Sequence, residues 1–137
     1  MFKLIKMIGT RTNVPELTKA KIDPEVSYRE GCVYYIVSGV LSTSYNDSTD
    51  IIFIPVESIP KGSEKTHITG FIATDDMVFE TKAEGDTLIL SAGSIISYKE
   101  EDDGTKYAVS AEFGEDVKVL NNDTTSVDGK ILVALRW

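Results

Sequence analysis

Residues 107–113, YAVSAEF, decide the fold class because apolar side chains recur at every second position through the whole stretch. The odd-numbered positions from Tyr107 to Phe113 are apolar, and the even-numbered positions between them are small or acidic. A period of two is typical of a β-strand that is buried on one face. Residues 131–137, ILVALRW, repeat the pattern at the C-terminal end. Both stretches therefore predict strands of a sheet.

The sequence outward from 107–113 indicates further short strands separated by turn residues. Asp103-Gly104 is a strong hairpin signal, and it joins 95–99 to 107–113. Other β-rich runs fall at 1–8, 32–37, 40–45, 51–56, 67–73, 77–81 and 87–90. No stretch of a dozen residues has a helical period. We therefore expect an all-β chain, a single compact barrel-like or sandwich domain with an extended N-terminal arm.

The predicted arm carries the opposite charge from the rest of the chain. It begins with residues 1–16, MFKLIKMIGTRTNVPE, and residues 1–21 hold five basic residues and one acidic residue, for a net charge of +4. The remaining residues hold nine basic and 21 acidic residues, for a net charge of −12. Complementary potentials steer and orient association. We therefore divide the chain into a basic N-terminal strand and extended arm, 1–21, and an acidic all-β domain, 22–137. The alternative for residues 1–8 is an ordinary first strand whose lysines point to water.

Length and net charge narrow the classes of partner. A chain of 137 residues is one domain by size, and it can bury a substantial core without disulfides. Its net charge of −8 opposes nucleic-acid binding, because an acidic body repels phosphates. Lys3 and Lys6 interrupt the apolar run at the start, so we expect neither a signal peptide nor a membrane span there. Nucleic acid and membrane are not expected partners.

Residues able to carry out chemistry are sparse. The chain has one cysteine, Cys32, and one histidine, His67, so a metal cage rich in these ligands is not possible. No Walker loop, GxSxG elbow or GxGxxG fingerprint occurs. The carboxylates of Asp75-Asp76 and of 100–103 could supply an acid/base pair or bind a hard cation, but nothing in the sequence predicts a pocket that would shift their pKa values. Residues 100–103 are interpreted as a solvated turn, with weak cation binding as the alternative. Residues 46–50 offer oxygen ligands but lack the glycine and the terminal glutamate of a calcium loop. We predict no catalytic residues, no metal ligands and no cofactor.

Tyrosine is the most frequent aromatic residue, with six copies. Tyr34 and Tyr35 are adjacent in a predicted strand, so their side chains face opposite sides of the sheet. Tyrosine is common at interfaces and at the rims of barrels. We therefore expect at least one of the two to approach solvent or a partner.

The opening of the chain resembles a family of phage proteins. Residues 1–6, MFKLIK, then Arg11, then residues 13–16, NVPE, are similar to the start of small head decoration (auxiliary capsid) proteins of tailed phages and prophages of Gram-positive bacteria. Looser similarity continues through residues 28–31, 76–80 and 85–88 and the final Arg136-Trp137. The chain departs from the family pattern between about residues 42 and 66, which affects the expected surface contacts more than the fold.

The resemblance implies a structural virion protein that binds the outside of an assembled phage capsid and reinforces or decorates it, without catalysis and without a cofactor. Its expected partners are the major capsid protein and further copies of itself. Its expected location is the capsid surface of the virion, after synthesis in the cytoplasm of the bacterial host. Two alternatives stay open, a binding module of a phage tail or baseplate and a small trimeric β enzyme similar to the deoxyuridine-triphosphate hydrolases, although the glycine-rich phosphate loops of that enzyme class are not found.

The basic arm supplies the predicted contact. An apolar strand can add to a partner, while lysine and arginine side chains pair with acidic groups there. Repetition of a modest contact over many copies gives strong overall binding. Val14-Pro15 would serve as a stiff extended spacer. The predicted interface residues are Phe2, Lys3, Leu4, Ile5, Lys6, Arg11, Asn13, Val14 and Pro15.

Overall fold

The computed structural model describes residues 1–8, 15–44, 51–85, 90–121 and 129–137. Within these residues the chain is all β and contains no helix, which confirms the predicted fold class. The strands are β1 (Lys3–Met7), β2 (Thr18–Lys21), β3 (Tyr34–Val37), β4 (Val40–Ser42), β5 (Ile51–Pro55), β6 (His67–Ile72), β7 (Met77–Glu84), β8 (Ile95–Glu100), β9 (Lys106–Phe113), β10 (Val117–Asn121) and β11 (Lys130–Ala134).

Strands β2 to β6 close into a first barrel in the order β2-β4-β3-β5-β6. Most pairs are antiparallel, and the barrel is closed by one parallel pair, Lys21 with Val40. Alternate residues of the strands point inward and form a compact apolar centre around Tyr34, Phe53 and Ile68. Gly70 packs closely against this centre. A Cβ added at this position would lie 2.6 Å from the Phe53 ring, which is too close. The absence of a side chain at this position is what lets β5 and β6 approach each other.

Strands β7 to β11 close into a second barrel. The ring runs β7-β11-β10-β8-β9, and it is completed by a parallel pairing in which Ala83 lies opposite Val109. The β8–β9 hairpin turns at Asp103-Gly104 as predicted, with Gly104 in the left-handed region at a φ of 86°. Strand β1 is a sixth strand, antiparallel to the first half of β7.

The two barrels share one core, so the chain is a compact single domain with two barrels. Buried residues of the second barrel form one cluster with Tyr35 of β3 and with Ile52 and Ile54 of β5. Tyr34 points into the first barrel and Tyr35 into the shared core, which confirms that they face opposite sides. The expectation that one approaches solvent is wrong, since Tyr34 is fully buried and Tyr35 is 5% exposed. The second barrel covers the face that would otherwise be open.

The predicted arm, 1–21, contains two strands. Residues 3–7 form β1, which pairs with β7 outside the closed ring of the second barrel, and residues 18–21 form β2 within the first barrel. The residues between them include 9–14, which lie outside the described residues. The predicted division at residue 21 falls at the end of β2 and stays a prediction.

Candidate interaction surface

Strand β1 differs from the other described strands in having a strand neighbour on one side alone. Every other strand lies within one of the two closed rings, whereas β1 pairs with β7 and with no second strand among the described residues. Lys3 lies opposite Glu80 and Met7 opposite Met77, with an irregularity between Leu4 and Lys6 that leaves Ile5 without a direct partner. Where a strand has a neighbour on one side alone, backbone donors and acceptors on its other side can bind a further strand.

Phe2 attaches β1 to the body of the protein. Its side chain is 3% exposed and belongs to the shared core. Its ring meets the Tyr98 ring edge to face, with centroids 5.8 Å apart, and its backbone N–H donates to the Gly31 carbonyl at 2.7 Å. A side chain held in this way cannot touch a partner while β1 stays in its sheet. Phe2 is thus an internal anchor of the strand, where the sequence predicted an interface residue.

The other predicted interface residues divide between the surface and the undescribed part. Lys3 is exposed and Ile5 is 37% exposed, while Leu4 is half-buried against the shared core. The backbone of Lys6 lies opposite Val78, but its side chain is outside what the structure describes. Pro15 is half-buried. Arg11, Asn13 and Val14 lie outside the described residues.

The edge of β1 has features that make it selective. It is five residues long, has a bulge-like irregularity at Ile5 and carries a lysine at Lys3. Short length, bulges and lysines are the devices by which proteins discourage unselective strand pairing. A strand that adds here must tolerate the irregular backbone, and acidic side chains would favour its binding. Exposed apolar side chains at Ile5 and Ile8 supply contact area beside the charges.

His67 and Cys32 occupy different settings. Cys32 is buried in the first barrel, and burial raises the pKa of its thiol, which keeps it protonated and unreactive at neutral pH. His67 is exposed on β6, and its Nδ1 lies 2.9 Å from the Thr66 hydroxyl. This neighbouring hydrogen bond is the kind of contact expected for a strand histidine.

All four residues of the acidic hairpin tip, 100–103, are exposed, which agrees with the predicted solvated turn, and their side chains also make local contacts. Glu101 pairs with Arg29 at 2.9 Å, and Glu100 pairs with the Lys106 ammonium at 3.1 Å. The Asp103 carboxylate accepts from the Thr105 backbone N–H at 2.9 Å, and hydrogen bonds from Thr105 lower the pKa of Asp103. The ion pair with Arg29 connects the tip to the segment before β3, and because both side chains are nearly half exposed it contributes little to stability. Residues 46–50, considered as a calcium loop, lie outside the described residues.

Lys106 is a buried cation, and nothing in the sequence predicted its burial. Its residue is 5% exposed, and its ammonium donates to the carbonyls of Thr43 at 2.5 Å and Gly104 at 3.2 Å. The ammonium also lies 5.4 Å from the centre of the Tyr35 ring. Thr43 and Tyr35 belong to the first barrel and Lys106 to the second. Lys106 therefore joins the barrels, and its place after an acidic turn gave no signal of this role.

The arrangement defines a class of protein, an all-β double barrel with one open strand edge in its described part. Among the described residues no group of three or more metal-ligating side chains is placed to hold an ion. The described part also contains no helix with the length and apolar character needed to cross a membrane. Comparison with known proteins adds no name: no family model, no curated protein and no solved structure matches this chain.

Proposed function

We propose that this protein is a structural virion protein, without catalytic activity, that binds the outside of an assembled phage capsid and reinforces or decorates it. The observation that carries the proposal is the open edge of β1, the one strand in the described residues that lies outside both closed rings. Residues 1–16 resemble the start of head decoration proteins, and for this reason we propose that the bound surface is that of a capsid. The major capsid protein is the proposed partner, and the capsid surface of the virion is the proposed location.

In this proposal β1 remains in its own sheet and binds through its outer edge. Phe2 holds the strand from the core side, while Ile5 and Lys3 face the partner. A strand of the capsid protein pairs with the edge, and acidic side chains on it meet the basic N-terminal segment. Each contact is small, but a rigid protein bound at many equivalent positions reinforces the shell through their combined number. Further copies of the chain on adjacent positions are the second proposed partner.

The test is cosedimentation of the purified protein with heads and tails of the cognate phage. Unexpanded shells, expanded shells and detached tails are compared at moderate salt. We expect saturable binding to expanded shells alone. Binding to tails alone would overturn the capsid assignment in favour of a tail or baseplate module, and binding to none of them would overturn it and reopen the enzyme alternative.

Variants of the strand edge make the test specific. A Lys3→Glu, Ile5→Asp double variant reverses the charge and removes the apolar side chain from the edge. A Lys82→Glu, Ile72→Asp double variant is a matched control, because Lys82 is exposed and Ile72, at 38%, is as exposed as Ile5. We expect the first variant to lose shell binding and the control to keep it. Deletion of the arm is a poorer test, since it removes Phe2 from the core and destabilises the barrel.

A further inference from the structure

The outer wall of the second barrel carries lysines on neighbouring strands. Lys82 of β7 lies opposite Lys130 of β11. Lys118 of β10 lies opposite Ala134, which is also on β11. Directly opposite residues of two strands share a face, as do residues two apart on one strand. The odd-numbered apolar residues of these strands belong to the shared core, so the even-numbered lysines point outward, with the half-buried Leu132 between them. We call this surface the basic wall.

The basic wall has a net positive charge among the described residues. Four lysines lie on it, Lys3, Lys82, Lys118 and Lys130. Its one unshared carboxylate is Glu80, which lies opposite Lys3 and pairs with the Lys130 ammonium at 3.7 Å. The next carboxylate along β7, Glu84, pairs with Lys99 at 3.6 Å and leaves the balance unchanged. Four lysines against one carboxylate give the wall a charge of +3 on a chain whose net charge is −8.

A surface of the opposite character lies at the end of β9. Phe113 is 67% exposed, and the exposed carboxylates of Glu112 and Glu115 lie on either side of it in sequence. Neither carboxylate takes part in an ion pair among the described residues. The Gly114 N–H donates to the Ile95 carbonyl at 3.0 Å, which holds this segment against β8. Residues 112–115, which we call the acidic segment, therefore present an aromatic ring between two carboxylates on a fixed backbone.

The two surfaces are complementary in charge and in the order of their groups. An apolar side chain, Leu132, lies between lysines on one, and an apolar side chain, Phe113, lies between carboxylates on the other. Strands β9 and β11 are not neighbours in the ring of the second barrel, so the two surfaces lie on different walls of one copy. We propose that the acidic segment of one copy of this chain docks on the basic wall of a second copy, with Phe113 against Leu132.

The net charge of the chain opposes this contact at long range and the local match favours it at short range. Repulsion between two bodies of −8 is screened beyond about 8 Å at physiological ionic strength, whereas groups that meet in a contact are screened much less. Each copy in such a pair keeps one free surface of each kind. The contact is therefore head to tail, and it continues beyond two copies.

This inference rests on the proposed function for its setting, because further copies on adjacent positions of the shell are its second proposed partner. Its test uses the protein alone, so self-association can fail while shell binding succeeds, and the reverse. In the shell assay, the Lys82→Glu, Ile72→Asp control is expected to keep its binding through β1 and to lose only the cooperativity between copies.

Sedimentation velocity of the full chain over a wide range of concentrations is the test. We expect the average mass of the unchanged chain to rise with concentration and to pass that of a dimer. A Lys82→Glu, Lys118→Glu variant reverses the basic wall, and a Glu112→Lys, Glu115→Lys variant reverses the acidic segment. Each variant alone is expected to associate at least about tenfold more weakly, because like charges then face each other. A mixture of the two variants should associate again, since the wall and the segment of different variants have opposite charges.

The controls separate this contact from the effect of net charge. Lys19→Glu with Lys21→Glu, and Glu25→Lys with Glu64→Lys, make the same changes in net charge at exposed sites of the first barrel, and both variants should associate within about threefold of the unchanged chain. Phe113→Ala leaves the charge unchanged and should weaken association about tenfold, because it removes the aromatic anchor. The proposal is overturned if the unchanged chain stays monomeric or stops at a dimer, if either reversed variant associates as the unchanged chain does, or if their mixture stays monomeric.

Discussion

Replacement of Phe2 by alanine tests whether β1 is an integral part of the second barrel. The ring is 3% exposed and packs in the shared core against Tyr98. If the segment that carries β1 were a loose arm, Phe2 would contribute little to the free energy of unfolding. If β1 is held as the structure describes, the variant loses a buried aromatic side chain next to a barrel wall.

The expected loss follows from the burial of the ring. Truncation of a buried phenylalanine to alanine typically costs about 3 to 5 kcal/mol, through lost transfer energy and the cavity left behind. The edge-to-face contact with Tyr98 accounts for about 0.5 to 1.5 kcal/mol of aromatic pairing beyond burial alone. We expect a decrease of about 4 kcal/mol in the free energy of unfolding. If the free energy of unfolding decreases by about 2 kcal/mol per molar of urea, the urea concentration at the midpoint of unfolding falls by about 2 M.

Urea unfolding followed by tyrosine fluorescence and circular dichroism measures this change. Phe113→Ala is the matched control, because the same atoms are removed from a side chain that is 67% exposed, and it is expected to change stability by less than about 0.5 kcal/mol. The reasoning is refuted if Phe2→Ala lowers the free energy of unfolding by less than about 1 kcal/mol, as for a surface site.

Four further predictions concern the two barrels and the junction between them. Gly70→Ala should destabilise the protein by about 1 to 3 kcal/mol in urea unfolding, since its Cβ would overlap the Phe53 ring; unchanged stability would contradict the described packing. Lys106→Met keeps the aliphatic stem but leaves two carbonyls without their donor, so we expect a loss of about 2 to 4 kcal/mol by the same assay. Burial raises the pKa of Tyr34 to about 12, so the stability that this raised pKa contributes is complete below pH 10 and falls as pH rises from 10 to 12. Urea unfolding at several pH values measures this fall, and the Tyr34→Phe variant should show a smaller decrease in the free energy of unfolding over the same range. Burial also raises the pKa of Cys32, so a thiol reagent should label it slowly in the native protein and rapidly in urea, and rapid native labelling would contradict its burial.

The period-two pattern predicted most of the second barrel because its strands are buried on one face. The hairpin of β8 and β9 follows directly from alternation and from Asp103-Gly104. Strand β2 was missed because three of its four residues are polar and exposed, so its single buried side chain, Ala20, gives no visible pattern. Strand β10 was also missed, although Val117 and Val119 alternate around a lysine. That short signal was available and was obscured by the acidic turn before it.

The division into two barrels had no sequence signal. A boundary between domains is usually visible as a polar or flexible linker, but here β6 and β7 are separated by residues 73–76 alone. The two barrels also cover each other. Both faces of β3 are therefore covered, and its sequence, YYIV, is a continuous apolar run without alternation. Which barrel covers which face depends on long-range pairing, and composition and local periodicity do not encode it.

The candidate interaction surface could be predicted only in outline. The excess of basic residues in 1–21 pointed to the segment that holds β1, but it could not separate Phe2, which faces the core, from Lys3, which faces solvent. Nor could it show that Lys19 and Lys21 lie on a different barrel, beside His67. Charge is visible along the sequence, whereas the surface on which it is displayed is fixed by strand pairing.

The most direct test of the proposed capsid function is amide hydrogen exchange of the chain, free and bound to expanded shells. The outer edge of β1 is the proposed contact, so its amides should lose solvent access when a partner strand pairs with them. We predict that protection on binding is greatest at those amides of residues 3–6 that point away from β7. Equal exchange of these amides in the free and bound protein, with protection elsewhere, would contradict the account.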